Sequence, residues 1–176
     1  MKKNVLILSI ILAAVVSVCL FFRRNEGTSE IPHTAVECIG IDRAGVQARA
    51  AGIDESIPSY ISSMKDIFGQ SAEGGQQADY LADGVSKLVT QMFYGETGKS
   101  EIRFYFENDN IFYITKLNSV YELPLSEDPE GQVKRTDHDE YYLGSNQNLC
   151  LWYSNGEIKE SGKSAQELVA SFLSHL

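Results

Sequence analysis

The feature that most constrains this chain is Val5 to Phe22, 18 consecutive residues without a charge, bracketed by Lys2-Lys3 and Arg23-Arg24. At about 1.5 Å rise per residue, such a helix reaches roughly 27 Å, close to the ~30 Å thickness of a bilayer's hydrocarbon core. The flanking cations can snorkel to the headgroups. A cleaved signal peptide would usually carry a shorter apolar region, of about 7–15 residues, ending at a small-x-small site. Here Ser17-Val18-Cys19 is followed by Leu20, Phe21 and Phe22, which prolong the apolar run. Lipidation at Cys19 would want Gly, Ala or Ser before it, and Val18 stands there. An uncleaved anchor is therefore the favoured reading, with residues 1–24 as the span, 25–37 as a polar tether and 38–176 as a domain.

Charge narrows the possible partners. The chain carries 15 Lys and Arg and 24 Asp and Glu, and no acid precedes Glu26. Subtracting Lys2, Lys3, Arg23 and Arg24 leaves 15 − 4 = 11 bases against 24 acids, a net of −13 over residues 25–176. Such a domain repels phosphate backbones, so nucleic-acid binding is excluded, whereas a basic protein would be steered toward it. With 43% hydrophobic and 22% charged residues the composition is that of a globular protein. The positive-inside count is a tie, two lysines against two arginines, broken only by the α-amine. Cys38 and Cys150, the two cysteines outside the apolar run, would suit one disulfide in an oxidising compartment. Together these place the span in a bacterial inner membrane, with the domain periplasmic or extracellular.

Periodicity predicts the elements of the domain. Asp42 to Ala51 reads as a short helix capped by Asp42 and stopped by Gly52. A second helical stripe is Ile57, Tyr60, Ile61, Met64, Ile67 and Phe68, and a third is Leu81, Val85, Leu88, Val89, Met92 and Phe93. From Glu101 to Glu107 the period becomes 2, with Ile102, Phe104 and Phe106 opposite Arg103 and Tyr105. Ile111 to Leu117 returns as a partner strand, and Asn118-Ser119 is expected to reverse the chain into Val120 to Leu123. Val133 to Leu143 follows, and Asn155-Gly156 turns a last hairpin after Leu149 to Tyr153. Ser164 and Glu167 form a capping-box pattern before a final amphipathic helix. The expected class is α+β: a membrane helix, then helices on one face of an antiparallel meander of five or six strands, then a C-terminal helix.

Catalytic signals are weak, and the reading is a non-catalytic protein-binding domain with no cofactor. Toxin-neutralising proteins and accessory subunits of envelope complexes share this layout. Asp137-His138-Asp139-Glu140 is the densest group of titratable residues, and an envelope enzyme or metal site there is the alternative. In an extended segment Asp137 and Asp139 face away from His138 and Glu140, so no three of them converge on one ion. No Gly-x-Ser-x-Gly elbow, EF-hand loop or phosphate-cradling glycine pattern is present. Tyr105, Tyr113 and Tyr121 recur every eight residues on one parity of successive strands, and with Arg103 they are the candidate contact face. A small-ligand site between sheet and helices is the third possibility.

Overall fold

The computed structural model of the protein describes residues 38–176 except 39, 70 and 72. The predicted span Val5 to Phe22 and the whole tether, residues 25–37, lie outside the described residues. Among the described residues no helix is long and apolar enough to cross a membrane.

Helix α1 (Arg43–Ser56) leads through a 3-10 turn (Ile57–Ser59) into eight strands. These are β1 (Ile61–Ile67), β2 (Gly75–Ala82), β3 (Val85–Gly95), β4 (Gly98–Glu107), β5 (Asn110–Tyr121), β6 (Val133–Leu143), β7 (Leu149–Ser154) and β8 (Glu157–Lys159), followed by helix α2 (Lys163–Leu173). The strands form one antiparallel sheet in chain order, β1 to β8, each paired with the next. All connections are local, so the meander needs no crossover.

The predicted architecture requires correction on three counts. The meander has eight strands, not five or six. The helical stripes around residues 57–68 and 81–93 belong to the 3-10 turn and to strands β1, β2 and β3. The helices also lie on both faces of the sheet. One face packs Leu88, Tyr105, Tyr113 and Tyr142 against Val46 and Ala50 of α1. The other packs Val89, Phe104, Ile114 and Tyr141 against Ala165, Val169 and Phe172 of α2.

In β3, burial on both faces puts apolar residues in adjacent pairs, such as Leu88-Val89, and pairs spaced three or four apart imitate a 3.6 period. Strand β1 is exposed and imitates a helix only because Ile61, Met64 and Ile67 stand three apart. The decisive turn signal lay inside the expected third helix. Asp83 (φ 52°) and Gly84 (φ 78°) both adopt positive φ and join β2 to β3 in a two-residue hairpin.

Smaller differences have similarly local reasons. Asn118-Ser119 does not reverse the chain: β5 runs on to Tyr121, with Ser119 buried and Asn118 accepting a hydrogen bond from Ser100 Oγ on β4 at 2.9 Å. Helix α1 continues through Gly52 to Ser56 because its buried face is held by the sheet, which outweighs the roughly 1 kcal/mol cost of an interior glycine. The Ser164–Glu167 capping box does not form. Gly162 caps α2, and Glu167 lies 3.7 Å from Lys163 instead. The Asn155-Gly156 hairpin matches expectation, with φ of 51° and 82°.

Candidate functional site

Helix α1 is short and weakly amphipathic, so propensity does not explain its seat on the sheet. Three of its polar residues do. Arg43 and Gln47, four apart and therefore on one stripe, reach down to Glu140 in β6. The Glu140 carboxylate is 6% exposed and has four donors. Oε1 accepts from Tyr113 Oη at 2.6 Å, from Gln47 Nε2 at 2.7 Å and from Tyr142 Oη at 3.3 Å. Oε2 accepts from Arg43 Nη2 at 2.7 Å, and Arg43 Nε also donates to Tyr142 Oη at 3.1 Å. The guanidinium lies 4.1 Å from the centre of the Tyr153 ring.

Burial pushes the Glu140 pKa upward, but the hydrogen bonds from Tyr113, Gln47 and Arg43 outweigh it and hold the carboxyl below its ordinary value. The same surroundings, burial first and the Glu140 contact second, raise the Tyr113 hydroxyl well above the usual tyrosine range. A carboxylate so fully satisfied is a clamp between helix and sheet, not a base awaiting a substrate.

Eleven residues further along α1 a second clamp is less complete. Asp54 Oδ2 accepts from Arg103 Nη1 and from Tyr105 Oη, both at 3.2 Å. Asp54 Oδ1 and Arg103 Nε are buried without a hydrogen-bond partner, although Glu101 Oε1 stands 3.5 Å from Arg103 Nε at ion-pair distance. Beside these groups opens a cleft of about 240 Å³, lined by Glu101, Arg103, Tyr105, Thr115, Leu117 and His138. Leu117 is 37% exposed at this cleft, and Arg103 presents its charge beside it.

The predicted contact residues separate in the fold. The Tyr105 and Tyr113 rings lie 5.4 Å apart between centres, tilted by 33°, yet they are 3% and 4% exposed, because α1 covers them. Tyr121 lies eight residues beyond Tyr113 on β5, about 27 Å away at 3.4 Å per residue, and its ring packs near Gly131. Only Arg103 and the rim of Tyr105 reach the cleft. Asp137, His138 and Asp139 lie on β6 with the alternation expected of a strand. His138 turns to the cleft, while Asp137 accepts hydrogen bonds from Arg135 and Asn155. Among the described residues no group of three His, Cys, Asp or Glu could hold a metal ion.

Cys38 and Cys150 are bonded, with their Cα atoms 5.1 Å apart, joining the chain just before α1 to β7. Periodicity missed Arg43, Gln47 and Asp54. The signal available was the polar series 43, 47, 54 on the stripe that also carries Val46 and Ala50. Glu140 was visible only as part of a polar run and reads differently once β6 is central in the sheet. Comparison with family models, with characterised proteins and with solved structures finds no significant match to this chain.

Proposed function

We propose that the chain is a membrane-tethered, non-catalytic binding protein of the bacterial envelope, anchored by Val5 to Phe22 and presenting its acidic domain outside the cytoplasm. The observation that carries this reading is the Cys38–Cys150 pair at bonding distance, a cross-link that persists in oxidising compartments and is rare in the cytosol. The apolar run with its flanking cations supplies the tether. The net charge of −13 over residues 25–176 favours a basic protein partner, attracted over roughly a Debye length of 8–10 Å.

The contact point is the cleft at the open end of α1, where Arg103 and His138 surround exposed Leu117. An apolar anchor ringed by polar groups is how interface centres are commonly built. A photoreactive residue replacing Leu117 should capture a protein in intact cells, with capture falling as ionic strength rises and falling in Glu101→Lys, which turns an acidic wall of the cleft basic. An impermeant thiol reagent, added to intact cells after reduction, should label Cys38 and Cys150. Capture unaffected by both salt and Glu101→Lys, or cysteines reached only after the cells are broken, would refute the reading.

A further inference from the structure

The two edges of the sheet are unequal. Strand β8 has three residues, a length that offers little to a passing strand. Strand β1 has seven, Ile61 to Ile67, paired with β2 on one side without a bulge and, among the described residues, with no strand on the other. None of its residues enters either core. Ile61 is 74% and Met64 71% exposed, and Phe68 just beyond it is 81% exposed. A bulge-free edge, unpaired among the described residues and carrying exposed Ile61 and Met64, is a template for another strand.

We propose that this edge pairs antiparallel with the same edge of a second copy, centred on Met64, to join two eight-stranded sheets into one. The register follows from symmetry. A twofold axis perpendicular to the sheet maps each face onto itself, so every residue meets one of its own parity and the axis passes through one self-opposed position. Centring on Lys65 or Asp66 sets like charges directly opposite one another, which is repulsive. Centring on Ser63 places Ile61 against Lys65, and centring on Ser62 pairs Ile61 with Ser63 and leaves Met64, Lys65, Asp66 and Ile67 unmatched.

Centring on Met64 uses all seven residues. Ile61 meets Ile67 of the second copy on the face shared with Leu81, and Met64 meets Met64 on the opposite face. Ser62 stands opposite Asp66 and Ser63 opposite Lys65, so a hydroxyl faces each charge. Met64 is also the midpoint of the strand, so the fully overlapped register and the chemically matched one coincide. The inference does not depend on the partner or location proposed above.

The test uses the full chain in detergent, with Cys19→Ser as background and the Cys38–Cys150 bond intact. Single replacements Ser62→Cys, Met64→Cys and Asp66→Cys are exposed to a mild oxidant. Directly opposed Cα atoms lie about 4.5–5.5 Å apart, within disulfide reach, whereas positions 62 and 66 stand roughly 14 Å from their own copies. Cross-linked dimer should therefore form several-fold faster from Met64→Cys than from either neighbour. In the same detergent the unmodified chain should sediment as a dimer and Met64→Lys as a monomer, with Trp152 fluorescence unchanged as a sign that the fold is kept. A monomer at every concentration, equal cross-linking at the three positions, or a maximum at 62 or 66 overturns the proposal.

Discussion

Glu140→Gln is the most informative single perturbation, because it keeps the shape of the buried carboxyl and removes only its charge and one acceptor. The glutamine oxygen can take the Oε1 position and keep Tyr113 and Gln47, at 2.6 and 2.7 Å in the native protein. Its amide then confronts Arg43, donor against donor. Arg43 is 39% exposed and can turn to water, so the loss of that ion pair is discounted to about 1 kcal/mol. A hydrogen bond to a charged group contributes about 1.5–3 kcal/mol against 0.5–1.5 for a neutral one, so each retained bond loses about 1 kcal/mol. The expected cost at neutral pH is about 3 kcal/mol.

The cost depends on pH with a definite sign. The folded carboxyl is held below its ordinary value of 4.5, so its contribution is complete above that value and disappears as pH falls through the folded pKa. Native protein and Glu140→Gln should therefore converge in acid. Denaturant titrations with the disulfide oxidised can follow Trp152, the chain's only tryptophan, which stacks on Tyr141 at 5.9 Å. A gap under about 1 kcal/mol at neutral pH, or one that persists undiminished in acid, would refute the clamp.

Other expectations concern separate parts of the fold. Tyr113→Phe, which leaves one short donor missing from Glu140, should cost about 1–2 kcal/mol and move the acid limb of the stability curve to higher pH. Burial raises the Tyr105 hydroxyl from 10.0 to about 12, with nearby Asp54 adding to the effect and Arg103 opposing it. That contribution is intact below pH 10 and is lost on the way to 12, so absorbance at the tyrosinate band should lag behind that of the unfolded chain over this window. Opening the Cys38–Cys150 bond by Cys150→Ser, which frees a separation of 112 residues, should cost at most about 4–5 kcal/mol in the same titration. Phe172→Ala, on the opposite face under α2, should cost about 3–5 kcal/mol and be additive with Glu140→Gln, since the sheet separates the two sites.

Legibility of the fold from sequence varied with how many faces of a strand are covered. Strand β6 was predicted with its observed bounds, and β4 nearly so. In β6, Tyr141 and Tyr142 are both fully buried, but Lys134 to Glu140 carry no apolar residue that could imitate a helical stripe. Strand β3 imitates a helix because both of its faces are covered, and exposed β1 does so through the three-residue spacing of Ile61, Met64 and Ile67; the Asp83-Gly84 dipeptide is the local signal against a helix. The site was less legible than the fold. Tyr105 and Tyr113 share one core on one side of the sheet, but whether that side meets solvent depends on a helix some fifty residues away in sequence. No local pattern announces that α1 would lie across Tyr105 and Tyr113, or that Arg43 and Gln47 would find Glu140.

The bond between Cys38 and Cys150 also sets how the domain responds to being pulled. Tension on the chain before residue 38 divides at once, one branch entering α1 and the other crossing the sulfurs into β7. Helix α1 is thus never the sole mechanical link between the chain before residue 38 and the sheet. A load applied there that stripped Arg43 and Gln47 from Glu140 would still be borne by β7 and its neighbours, so a clamp built from a few polar contacts would not become the weakest joint under such a pull.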